Sequence, residues 1–221
     1  MIYQPDFTDI VANVDLLARG AWLTLSLWAI AYAFGLAAGL VLGMVRTAGQ
    51  PLMAWPAAAY VEVFRNTPVL VQLVWFYYAF PVLTGLQMSA FTAAALGLCL
   101  NTSAYCAEIF RGGIRSIDAG QWEAGRALGM TYGALMRRVV LPQAVRRMVP
   151  AFTNRGIELG KMTAIASVIA VHELMYEARL LSANTYRPLE VFTVIAVIYF
   201  VVIYPGTLLS YRLEARLGRR G

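Results

Sequence analysis

Hydrophobic positions in this 221-residue chain are gathered into long blocks instead of alternating with polar ones. Apolar stretches of about 18 residues or more recur, which is the length a bilayer demands. They predict five spans, at Gly20 to Val45, Thr67 to Leu83, Ala90 to Phe110, Pro150 to Val171 and Val191 to Leu209. Between them lie a break at Ala48-Gly49-Gln50-Pro51, a short uncharged loop from Pro81 to Ser89 and a loop of mixed charge from Glu173 to Glu190. The one long polar insert runs from Arg111 to Arg147. The predicted fold class is an all-α membrane protein of about five transmembrane helices, one domain over residues 1–221.

Inside the spans, the exceptions to the apolar pattern carry the information. Gly35, Gly39 and Gly43 form one ridge, which in lipid lets another helix approach closely. Cys99 and Cys106 share a helical face among aliphatic neighbours and read as small buried hydrophobes; they have no metal-ligand partners. Glu62 and Arg65, one turn apart near the entrance of span two, are expected to neutralise each other, and Pro68 to kink or start that helix. Asn101, Tyr105 and Glu108 fall on one stripe of span three, which should face protein or a cavity and not lipid.

Span four is the most polar, with Asn154, Arg155, Glu158 and Lys161 within two turns. Each ionised group facing lipid costs about 2.5–3.5 kcal/mol on insertion scales. Asn154, Glu158 and Lys161 fall within about 60° of one another at the helical period, a narrow stripe expected to line an internal cavity. Two readings stand side by side: Glu158 and Lys161 meet the opposite charges of a zwitterion, or they pair with each other. His172 is expected to pair locally with Glu173.

The insert has helix signals of its own. Asp118 and Gln121 stand in a capping-box relation before a short helix, Trp122 to Leu128, which Gly129 ends. Thr131 can cap a second helix reaching Val140, which Pro142 should stop. The insert is expected to be a folded helix-turn-helix.

Composition sharpens the assignment. Hydrophobic residues make up 60% and charged residues 14%, against roughly 25% charged in ordinary soluble domains. The net charge of +6 is almost all arginine, Lys161 being the only lysine. These arginines gather at span ends, so lipid headgroups and the positive-inside bias explain them, and nucleic acid is not an expected partner. With the N-terminus outside, Arg46, the seven arginines from Arg111 to Arg147, and Arg212, Arg216, Arg219 and Arg220 lie inside and Arg19, Arg179 and Arg187 outside, with Arg65, Arg155 and Lys161 assigned to neither side. The N-terminus lacks the basic start of a cleaved signal peptide, so span one is expected to remain as an anchor. Gly160-Lys161-Met162-Thr163 fails as a phosphate loop, because Arg155 holds the first glycine position and Met162 follows the lysine.

In the insert, Glu123-Ala124-Gly125 is followed by Gly129 and later by Leu141-Pro142-Gln143-Ala144. This resembles the cytoplasmic coupling loop of ATP-binding cassette importer permeases, whose form is Glu-Ala-Ala, a glycine four residues on, and a later Leu-Pro. Only Gly125 departs, a small residue for a small one. Glu62, Phe64-Arg65, Thr67-Pro68, Val71-Gln72, Ala104-Tyr105, Glu108-Ile109, Arg111-Gly112-Gly113-Ile114 and Gly120-Gln121 extend the likeness to the polar amino acid branch, the relatives of histidine, glutamine, arginine and glutamate/aspartate permeases. Here Met162 takes a place that is polar in many relatives.

The resemblance implies a type I importer permease fold, with Glu123, Ala124, Gly125, Arg126 and Gly129 coupling to a pair of ATPase subunits. It further implies a second permease subunit, a periplasmic amino-acid-binding protein, and a place in the bacterial inner membrane. ATP and Mg would be used by the ATPase; no cofactor or metal is expected on this chain. Asn101, Tyr105, Asn154, Glu158 and Lys161 are the candidate substrate pathway. A permease for another small polar solute, such as an opine, is the alternative within transport. A membrane enzyme should show intramembrane His, Asp or Ser constellations, and a passive channel needs no docking insert.

Overall fold

The computed structural model describes residues 4–48 and 51–218. Among these the chain is helical throughout. A short α1 (Thr8–Ala12) leads into α2 (Val14–Thr47), then α3 (Pro51–Asn66) and α4 (Val69–Thr84). α5 (Ala90–Arg115) and the insert helix α6 (Ala119–Ala127) follow. The long α7 covers residues 132–169, α8 is Leu174–Thr185, and α9 is Pro188–Gly218. Part of the break at Gly49-Gln50, and Arg219 and Arg220 of the basic tail, lie outside the described residues.

α2, α5 and α9 are long and apolar enough to cross a membrane, as is the bent pair α3–α4. α7 does not pass that test, because Arg155, Glu158 and Lys161 interrupt it. Its place in the bundle is nevertheless fixed, between α5 and α9.

The glycine ridge decides the main helix pair. A Cβ on Gly35 would stand 2.8 Å from Thr102 Cβ, and one on Gly39 or Gly43 would collide with Cys106 or Phe110. The contacts rise together in both sequences, so α2 and α5 run parallel, and the chain between them must cross back. Cys106 is buried in this seam and Cys99 partly so, both as free thiols. α7 pairs antiparallel with both of its neighbours, joining Arg155 to Asn101 and Met148 to Gly113 on α5, and Asn154 to Ser210 and Ile157 to Gly206 on α9.

Span two differs from the pattern-based expectation. The semi-polar stretch before Thr67 is itself helical, and α3 meets α4 at 105°. Pro68, with ψ 133°, starts α4 and pushes Thr67 out of helical geometry. Gln72 then donates its Nε2 to the free carbonyls of Phe64 (2.9 Å) and Thr67 (2.8 Å), closing the end of α3.

Pro142 does not stop the second helix of the insert. A π-helical turn at Met136–Val140 precedes it, and Pro142 sits in the first turn of the next α-helical stretch, Leu141–Met162. There a missing N–H leaves no bond unmade. The helix runs on past Pro150 and tightens to 3₁₀ geometry at Thr163–Ile169. The insert's second arm and span four are therefore one rod. The expected loop after Glu173 holds α8, because the Glu173 carboxylate caps the amides of Met175 (3.0 Å) and Tyr176 (2.8 Å).

Candidate functional site

At the insert end of the bundle, α6 is built as a braced platform. Asp118 Oδ1 accepts from Gly120 N at 2.7 Å, but Gln121 does not complete a capping box; its Oε1 accepts from Gln143 on α7 at 3.1 Å. The helix closes with Gly129 in left-handed geometry, φ 73°, its N–H on Arg126 O and the Met130 N–H on Gly125 O. Thr131 Oγ1 caps the next turn through Ala134 N. Trp122 stacks on Tyr132, Arg147 donates to the Ser116 carbonyl, and a side chain at Gly125 would strike Leu135.

This separates the residues of the Glu-Ala-Gly segment. Gly125 is buried against its own chain, so its small size serves internal packing. Glu123, Ala124, Arg126 and Ala127 are exposed. Beside them Leu128 is 81% exposed, an apolar contact point the motif did not single out; its position immediately before the left-handed glycine was the available signal.

Where the platform joins the bundle, Glu108 on α5 gathers three arginines. Arg46 of α2 reaches it at 2.8 Å, Arg65 of α3 at 3.9 Å, and Arg111 pairs with it from the next turn. The expected Glu62–Arg65 pair does not form: Arg65 turns to Glu108, and Glu62 accepts from Asn66 at 2.9 Å.

Midway along the bundle, a chain of polar contacts crosses it. Gln72 Oε1 accepts from Asn101 Nδ2 (3.2 Å), Asn101 Oδ1 accepts from Arg155 Nη2 (2.7 Å), and Arg155 Nη1 donates to Glu158 Oε2 (2.8 Å). The Tyr105 ring lies 4.2 Å from the Arg155 guanidinium carbon. The stripe of Asn101, Tyr105 and Glu108 thus faces protein. Arg155, read from the sequence as one charge among several, is the buried centre of this chain of contacts; three partners on α5 pull it inward, a tertiary fact that spacing along α7 does not carry.

Asn154, Glu158 and Lys161 lie on the outer side of the chain, not around a cavity within it. Glu158 pairs with Arg155, and a Glu158–Lys161 pair, one of the two readings of the stripe, is not made among the described residues. Asn154 Oδ1 accepts from Ser210 at 3.4 Å. Lys161 borders a groove of about 460 Å³ between α7 and α9, with Tyr199, Ile203, Tyr204 and Thr207 along it.

At the opposite end, Glu173 is buried and also accepts from Tyr199 (2.9 Å) and Thr24 (3.4 Å), tying α2 and α9 to α8. Burial pushes its carboxyl above the usual range, against the pull of these donors. His172 therefore finds Glu177, not Glu173, at 2.9 Å.

These features define a helical membrane bundle with a braced platform at one end and a charged stripe on its outer face. Residues 35–219 match the family described as binding-protein-dependent transport system inner membrane component, and the chain belongs to it. It is 36% identical over 212 residues to the arginine transport system permease protein ArtQ of Bacillus subtilis, covering 96% of this chain and 97% of that one. The octopine transport system permease protein OccM of Rhizobium meliloti is 39% identical over 206 residues, covering 90% and 84%. Among solved structures, the crystal structure of an amino acid ABC transporter with histidines superposes with a TM-score of 0.91 at 38% identity, covering 97% of this chain and all of that one. The fold is that of type I importer permeases, and the chain is a transport component and not an enzyme.

Proposed function

We propose that this chain is the permease subunit of an ATP-binding cassette importer that carries a polar amino acid across the inner membrane by alternating access. The observation that carries this reading is the rigid, outward-facing α6 platform on the same rod that holds Glu158 and Lys161. A push on Glu123, Ala124, Arg126 or Leu128 moves α6 as a unit, because Gly125, Trp122 and Gln121 brace it on α7. The one rod then transmits that movement to the stripe.

Two ATPase subunits dock below the permease pair, at the platform end, and supply ATP and Mg chemistry; this chain moves no covalent bond. A second permease subunit covers the exposed stripe, giving Asn154, Glu158 and Lys161 a pathway instead of lipid, with Asn101 and Tyr105 behind them. A periplasmic binding protein delivers cargo at the α8 end, with the N-terminus periplasmic and the C-terminus cytoplasmic. The relatives named for arginine and for amino acid transport support an amino acid cargo. OccM favours a second reading, an opine.

The test is uptake in cells carrying the whole importer. Glu123→Lys or Gly129→Asp should abolish uptake and ATPase association while membrane insertion stays normal. Normal uptake with both variants sinks the proposal, and competition by unlabelled amino acids against octopine separates the two cargoes.

A further inference from the structure

The stripe on α7 carries a charge balance that its sequence conceals. Glu158 looks like a free carboxylate for a cationic group, since its side chain is 59% exposed. It is already matched. Arg155, whose side chain is only 3% exposed, holds it at 2.8 Å.

Arg155 is in turn locked from behind. Its Nη2 donates to Asn101 Oδ1 at 2.7 Å and to Thr102 Oγ1 at 3.4 Å, its Nη1 also meets Met162 Sδ at 3.8 Å, and its guanidinium lies over Tyr105. Its Nε is buried and has no acceptor among the described residues. The cradle holds a full positive charge whose one anionic partner in contact among the described residues is Glu158, and an uncompensated buried charge is far more costly than a paired one.

The pair is neutral as a unit, so the charge left on the stripe is that of Lys161. Lys161 has no ion-pair or hydrogen-bond partner among the described residues and opens into the groove beside Tyr204 and Thr207. Away from bulk water such a charge acts strongly on what approaches it. A carboxylate finds a cation there. A cationic side chain finds repulsion from Lys161 and a carboxylate already taken by Arg155.

We infer that Arg155 is the charge-selectivity residue of this permease: by neutralising Glu158 it makes the pathway accept amino acids with neutral or acidic side chains and reject cationic ones. The inference rests on the proposed reading that this stripe lines the substrate pathway. Arg155 acts through Glu158, so it is a positioning residue and touches no cargo itself.

The experiment uses the permease–ATPase complex in lipid nanodiscs without binding protein, and measures direct binding of radiolabelled L-glutamate, L-glutamine and L-arginine. The wild type should bind arginine at least about tenfold more weakly than glutamate or glutamine, a discrimination of about 1.4 kcal/mol. Arg155→Gln releases Glu158 and should shift the arginine-to-glutamate ratio about tenfold towards arginine. Glu158→Gln, which keeps an amide oxygen to accept from Arg155 but uncovers its charge, should shift the same ratio about tenfold the other way. A purely structural role for Arg155 would lower all three affinities together and leave the ratio fixed.

Tighter binding of arginine by the wild type overturns the inference, and so does an unchanged ratio in folded Arg155→Gln. If Arg155→Gln does not fold, the wild-type order and Glu158→Gln decide alone. Binding of none of the three amino acids overturns the underlying assignment of the stripe, a result distinct from binding with the wrong charge preference.

Discussion

Arg46 Nη1 lies 2.8 Å from Glu108 Oε2, fastening the end of α2 to α5 just where the chain leaves the bundle for the α6 platform. Arg65 and Arg111 share the same carboxylate, so one acidic side chain joins α2, α3 and α5. The parallel seam of glycines determines how closely α2 and α5 approach; this cluster determines where they stop sliding.

Replacing that carboxylate leaves three guanidiniums without their common partner. Glu108→Gln should lower stability by about 1–3 kcal/mol, kept modest by the partial exposure of the cluster. Thermal unfolding in detergent reads this directly, and an unchanged midpoint would show that solvent screens the cluster.

The glycine seam gives a contrast inside one protein. Gly39→Ala drives a methyl into Cys106 and should cost about 1–3 kcal/mol. Gly112→Ala, on α5 with nothing within 4 Å of an added Cβ, should be neutral or gain up to about 1 kcal/mol from helix propensity. Equal effects of the two changes would mean that close approach is not what Gly39 supplies.

Leu128 offers an apolar contact at the tip of the platform, and the proposed ATPase docking needs one. Leu128→Asp should reduce co-purification of the ATPase about tenfold, corresponding to about 1.4 kcal/mol. The same change should leave the melting temperature of the isolated permease unmoved, since Leu128 buries little of itself against this chain. Undiminished co-purification would remove Leu128 from the docking surface.

Asp6 makes the attachment of α1 sensitive to acid. The Thr8 hydroxyl and amide, together with Arg187, hold its carboxyl below the usual carboxylate range. A depressed value means the stabilising contribution is present above the ordinary range and is lost as pH falls through the depressed one. The protection of the amides of residues 8–12, relative to their intrinsic exchange rates at each pH, should therefore fall below about pH 4. Asp6→Asn should exchange quickly already at neutral pH and lose that acid-dependent step.

Length and pattern alone determined a great deal here. The apolar blocks of α2, α5 and α9, the glycine ridge, the protein-facing stripe of Asn101, Tyr105 and Glu108, and the short helix ended by Gly129 follow from local rules: bilayer thickness, helical period and left-handed backbone geometry. These rules involve residues within a turn or two of each other, and all of them are written in the order of the chain.

What failed to be legible was the choice of partner. Glu62 and Glu158 each have a neighbour of opposite charge one turn away, and His172 has Glu173 beside it, yet each bonds to a different residue. Pro142 reads as a stop until a π turn ahead of it shifts the hydrogen-bond register. Arg155 becomes the centre of the polar chain only when α5 brings Asn101, Thr102 and Tyr105 against it. A side chain about 6 Å long samples many acceptors at similar local cost, so local spacing cannot rank them. Burial ranks them, because an unpaired charge or carbonyl inside the bundle is penalised wherever its partner stands in the sequence. The sequence by itself thus determined that this chain crosses a membrane and carries a short helix outside its spans; the tertiary structure decided which charges of the α7 stripe pair with one another and which remain.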